Sequence, residues 1–136
     1  MIQLIYAMKG SGKTKRLIDM TNEEVNNATG DVVFIDDDKR YMYDVKYRVR
    51  FCDVSEYGIR GEDEFYGFLC GMVSQNFDIQ AIYIDAFLKI IEKDAKDTEN
   101  LIGKIKKLTD DNNIKAVIIV SGNPEEAPEH LKEYMI

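Results

Sequence analysis

Ile2-Gln3-Leu4-Ile5-Tyr6-Ala7-Met8-Lys9-Gly10-Ser11-Gly12-Lys13-Thr14 is the stretch that decides how this chain is read. The apolar run from Ile2 to Tyr6 has the pattern of a buried strand, and a turn with two glycines follows it. Beyond the turn, Leu17, Ile18, Thr21 and Val25 recur at the spacing of one helix face. Residues 7–14 have the form G-x-x-x-x-G-K-[ST], with Ala7 in place of the first glycine. Gly10 and Gly12 let the backbone curl so that successive N–H groups point inward as an anion nest. A helix starting near Gly12 adds the positive end of its dipole at the same place.

The strand–loop–helix context gives this pattern a chemical meaning that the motif alone lacks. Lys13 is expected to reach the β- and γ-phosphates of a nucleoside triphosphate as a point charge. The Thr14 hydroxyl is expected to ligate Mg²⁺. Lys9, Gly10, Ser11, Gly12, Lys13, Thr14 and Lys15 are thus the expected nucleotide-contacting residues. Ala7 is compatible with the motif because the nest depends on the later glycines.

At 136 residues the chain is read as one domain, residues 1–136, long enough to bury a core. Apolar residues make up 45% and charged residues 32%, a globular rather than a disordered balance. The net charge of −7 argues against non-specific nucleic-acid binding through a broad basic surface. Cys52 and Cys70 form no C-x-x-C ligand pair and are read as buried free thiols. No apolar run approaches a membrane span, and the first residues already form a strand. The chain is accordingly expected to be cytoplasmic, with no signal peptide and no membrane partner.

Strand-like and helical patterns alternate along the rest of the chain. Asp31 to Ile35 reads as a buried parallel strand ending in the triplet Asp36-Asp37-Asp38. Arg48 to Val54 alternates polar and apolar residues, as a more exposed or edge strand does. A helix is predicted from Glu62 to Asn76, with Phe65, Phe68, Leu69, Met72 and Val73 on its buried face. Ala81 to Ile84 is a further strand, stopped by Asp85. A helix begins at Phe87, and Leu101, Ile102, Ile105 and Leu108 form a later apolar stripe. Ala116 to Val120 is the last strand, and a terminal helix is predicted to carry Leu131, Tyr134 and Met135. This alternation predicts an α/β fold of three layers, a mainly parallel sheet of about five strands covered on both faces. The strand Ile2–Tyr6 is expected in the interior of that sheet.

Ile82-Tyr83-Ile84-Asp85 has the form of a Walker B strand, which delivers one carboxylate to the metal side of the site, beside Thr14. An aspartate capping the next helix is the alternative. Together the two motifs resemble the P-loop NTPase superfamily over most of the chain. That resemblance implies ATP and Mg²⁺ as ligands, and a polar sensor of the γ-phosphate after the following strand, where Ser121 and Asn123 stand. It is closer to the ATPase branch than to the GTPase branch, because Asp85-Ala86-Phe87-Leu88 is not D-x-x-G and no N-K-x-D occurs. At finer grain the chain is similar to small bacterial P-loop ATP-binding proteins, some labelled twitching-motility retraction ATPases. It lacks the histidine- and aspartate-rich boxes of those larger enzymes.

Many family members place a glutamate directly after the Walker B aspartate; here Ala86 stands there. Another branch takes its base from a neighbouring strand end, so Glu56 and Asp36 to Asp38 are the candidates, with solvated loop and turn carboxylates as the alternative. Lys13, Glu56 and Asp36 are therefore the candidate catalytic residues, Thr14 and Asp85 the candidate metal ligands. The leading expectation is a slow ATPase or nucleotide-gated module that acts with a protein partner or as a homo-oligomer. A small-molecule kinase and a non-hydrolysing scaffold are the alternatives. Lys39 to Arg50, with Tyr41, Tyr43 and Tyr47 among charges, reads either as a contact surface or as an amphipathic edge strand.

Overall fold

The apolar runs form the five strands of one sheet, in a computed structural model that describes residues 1–136. They are β1 (Ile2–Ala7), β2 (Asp31–Asp36), β3 (Arg50–Asp53), β4 (Ile79–Ile84) and β5 (Lys115–Ser121). Every pairing is parallel, in the order β1-β5-β4-β2-β3. Parallel neighbours need crossovers, and α1 (Lys13–Asn27), α2 (Gly61–Gln75) and α4 (Glu99–Asp111) provide the long ones. Two short helices, α3 (Phe87–Ile91) and α5 (Glu129–Lys132), complete the set. The link from β2 to β3, residues 37–49, is an arm of turns rather than a helix.

Alternation along the strands sorts their side chains onto two faces. Ile5, Phe34, Tyr83, Val117 and Ile119 face α1, where Leu17, Ile18 and Val25 cover them together with Val45 and Val49 of the arm. Leu4, Ile35, Ile82, Ile84 and Ile118 face the other way, under Phe65 and Leu69 of α2, Phe87 of α3 and Leu101 and Ile105 of α4. The result is the expected three-layer α/β fold. The α2 and α4 stripes lie where the 3.6-residue period puts them, and β3 is the edge strand that its alternating pattern suggested.

Two expectations need correction. β1 is not interior: it ends the sheet and pairs with β5 alone among the strands. Its outer side is closed instead by the last residues of the chain. Leu4 donates its N–H to the Tyr134 carbonyl (2.8 Å), and the Ile136 N–H donates to the Leu4 carbonyl (2.9 Å). The predicted terminal helix accordingly stops at Lys132, and Met135 forms a parallel bridge with Leu4. A continuous apolar run reports burial on both faces of a strand, and helices provide that here. It carries no information about what lies beside the strand.

Cys52 is buried and Cys70 half-buried, both as free thiols. No helix is long and apolar enough to cross a membrane.

Candidate functional site

The loop after β1 turns through two left-handed glycines, Gly10 at φ 83° and Gly12 at φ 86°. A Cβ at either would touch nothing within 4 Å, so the backbone conformation, not crowding, selects glycine there. The turn is tied by the Ser11 N–H to the Met8 carbonyl (3.2 Å) and by the Arg16 N–H to the Gly12 carbonyl (3.1 Å). The N–H groups of Gly10, Gly12, Lys13, Thr14 and Lys15 find no acceptor within the protein. No side chain caps α1, and its first turn holds no acid. A concave set of free donors therefore faces outward at the positive end of a helix dipole, which suits an anion. The Lys13 ammonium bends back over this loop, 3.5 Å from the Met8 carbonyl, and has no carboxylate partner.

The sheet brings Asp85 to the same place. It follows β4 directly and is 7% exposed, with its N–H donated to the Ile35 carbonyl at 2.9 Å. Its Oδ2 accepts the Thr14 hydroxyl at 3.1 Å, and its Oδ1 accepts the Ala86 N–H at 2.7 Å. Ala86 takes φ 56°, a left-handed conformation that is unusual for a residue with a Cβ. That bend starts α3 and folds the backbone back onto the carboxylate.

Asp36 ends β2, the strand beside β4, where Ile35 and Ile84 are register partners. It is 3% exposed. Its Oδ1 accepts the Asp37 N–H (2.8 Å), while Oδ2 is buried without any partner, the only such side-chain atom in the molecule. Burial, helped by the nearby charges of Asp85 and Asp37, pushes its carboxyl up to about 8. A carboxyl that keeps its proton near neutral pH explains how an oxygen can stay buried and unpaired there. Burial also pushes Asp37 upward, but the Lys89 ammonium at 2.7 Å and the hydrogen bond with Asp36 outweigh it and hold Asp37 below the usual carboxylate range.

These groups open onto one cleft of about 1000 Å³. Lys9, Gly10, Gly12, Lys13, Thr14 and Lys15 line it from the loop side, and Asp36, Asp85 and Ser121 from the strand ends. β5 lies between β1 and β4, with Ser121 in register with Ala7, so Ser121 stands between the loop and Asp85.

Three residues singled out from the sequence lie elsewhere. Ser11 is exposed on the loop but does not line the cleft. Asn123 uses its side chain to accept the Glu125 N–H (3.0 Å), away from the cleft wall. Glu56 lies beyond β3, ion-paired with Lys39 and outside the cleft. Conversely, Lys89 joins the cleft wall without any sequence signal, because only the β2–β4 pairing brings it to Asp37 of the acidic triplet. No protein-family model matches the chain, and no curated protein matches it.

Proposed function

We propose that this chain is a P-loop protein that binds ATP with Mg²⁺. The observation that carries the reading is the Thr14–Asp85 hydrogen bond at 3.1 Å, beside a nest of unpaired N–H groups. A hydroxyl and a carboxylate oxygen at the rim of an anion nest are the hard oxygen donors that Mg²⁺ takes in phosphate sites. Thr14 and Asp85 would hold the Mg²⁺, which would supply positive charge against the charge that develops on phosphoryl transfer. The chain's own residues do the rest of the binding: the loop N–H groups donate to the phosphate oxygens, and Lys13 is free to turn from Met8 toward them. The preference for ATP over GTP rests on the missing D-x-x-G and N-K-x-D motifs.

Among the candidate bases, Asp36 is the one whose placement fits. Asp36, Asp37 and Asp38 all line the cleft, but Asp37 is ion-paired with Lys89 and Asp38 with Arg40, whereas Glu56 is tied to Lys39 outside it. The Asp36 carboxyl, raised to about 8, holds a proton near neutral pH and must lose it before Asp36 can act as a base for water or a hydroxyl. Its one fixed bond is to Asp37, so nothing yet orients a water molecule. This supports a slow ATPase that works with a partner rather than a fast enzyme.

A second reading, phosphoryl transfer to a small-molecule hydroxyl, draws on the cleft itself. It continues past the loop along α1 to Asn22, Arg40, Tyr41 and Asp44, leaving room beside Asp36 for an acceptor. Calorimetric titration of ATP–Mg²⁺, followed by phosphate release with and without candidate acceptors, tests both readings. Absence of binding removes both.

A further inference from the structure

The two edges of the sheet are treated differently. The β1 edge is closed by the residues from Tyr134 to Ile136, but the β3 edge is open. β3 pairs with β2 alone, and residues 50–53 make no backbone hydrogen bond outside that ladder. An open edge is a row of unpaired donors and acceptors at the spacing of a strand.

The chain leading into this edge is unlike the rest of the molecule. Residues 39–50 carry five of the eighteen basic residues and a single acid, on a protein of net charge −7. Lys39 and Arg40 are ion-paired with Glu56 and Asp38. Lys46 and Arg48 reach only Asn26 and the Val25 carbonyl, and Arg50 has no ion pair, so these three charges have no carboxylate partner. Between them stand Tyr43 and Tyr47, 91% and 100% exposed.

Their exposure is built rather than accidental. Val45 and Val49 are buried against α1, and the Asn22 side chain holds both the Asp44 carbonyl (3.0 Å) and the Lys46 N–H (2.8 Å). The arm is thus fixed at alternate points, and the tyrosines and cations between them are presented outward. Exposed tyrosine with unpaired arginine is the composition of an interface anchor.

We propose that the open edge of β3 docks an extended, acidic segment of a partner protein as a sixth strand. Its backbone takes the free ladder positions, its carboxylates meet Lys46, Arg48 and Arg50, and Tyr47 covers its apolar side chains. Main-chain bonds give such a contact its affinity, and the flanking side chains give it selectivity. Single-stranded nucleic acid also pairs with basic and aromatic groups, but it has no use for a row of backbone ladder positions. Its uniform negative charge is also repelled by the rest of this acidic chain.

The test titrates a fluorescent peptide of alternating Glu and Thr by anisotropy, with a thymidine oligonucleotide of equal length as the rival. Amide exchange at Phe51, Cys52 and Asp53 is followed in parallel. The peptide is expected to bind in low salt, to slow exchange at those amides, and to weaken about tenfold with Arg48→Glu/Arg50→Glu. Tyr47→Ala is expected to weaken it as well, and circular dichroism checks that each variant folds. Lys13→Ala leaves this binding unchanged, so the outcome does not depend on the nucleotide site. Preference for the oligonucleotide, equal binding by the charge-reversed variant, unprotected β3 amides, or self-association that excludes the peptide overturns the proposal.

Discussion

Asp36 and Asp85 stand at the ends of adjacent parallel strands, and the second helps hold a proton on the first. Both are nearly excluded from solvent, and one oxygen of Asp36 has no partner at all. The pair splits into two roles: Asp85 takes the Thr14 hydroxyl, while Asp36 is left beside it as a protonated carboxyl.

This pair gives the protein a pH-dependent stability whose sign follows from proton counting. Folded Asp36 keeps its proton up to about 8, whereas an unfolded aspartate releases it near about pH 4. Between those limits the folded state binds more protons, so stability falls as pH rises and levels off above the folded value. Asp36→Asn cannot ionise and loses that slope. Thermal melts without divalent cations are expected to show the variant gaining on the native chain as pH rises from 4 toward about 8. Parallel melting curves across that window would mean that Asp36 is not perturbed.

Asp85→Asn keeps a hydrogen-bonding partner for Thr14 but removes the charge offered to a cation. Nucleotide affinity measured in EDTA is expected to change little. The gain in affinity on adding Mg²⁺ is expected to shrink about tenfold or more, as for loss of a charged ligand. A Mg²⁺ gain equal to that of the native chain would remove Asp85 from the metal side.

Closure of the β1 edge depends on Leu131, 1% exposed, which anchors the terminal segment in the core. Leu131→Ala is expected to cost about 2–5 kcal/mol in denaturant unfolding. The Leu4 amide, bonded to the Tyr134 carbonyl, should lose protection from exchange before the centre of the sheet does. Simultaneous loss everywhere would show that the segment is not a separate cover.

The layers and the loop were legible in the sequence because they rest on local rules. Apolar runs name the strands, the 3.6-residue stripe names the buried faces of α1, α2 and α4, and Gly10 and Gly12 name the nest. The lateral position of β1 was not legible, since Ile2–Tyr6 looks the same at an edge that the chain covers as in the interior. The choice between Asp36 and Glu56 was hidden for a similar reason. Both follow strands, and only the β2–β4 pairing sets one beside Asp85 while Lys39 draws the other away.

Turnover by the isolated chain is expected to be slow, on the order of 10⁻⁴ to 10⁻² per second, the range of P-loop enzymes without a supplied arginine finger. Phosphate release on the monomer measures it. Asp36→Asn should lower whatever rate is found, and Glu56→Gln should leave it unchanged. The reverse pattern would move the base to the far side of β3.

The most direct test of the account is calorimetric titration of ATP–Mg²⁺ into the native chain and into Lys13→Ala. Lys13 is half-buried and has no ion pair, so its removal leaves the fold intact while taking one charge-assisted contact from the phosphates. The account predicts binding by the native chain and an affinity about tenfold or more lower in the variant. Equal affinities, or no binding by either protein, would contradict it.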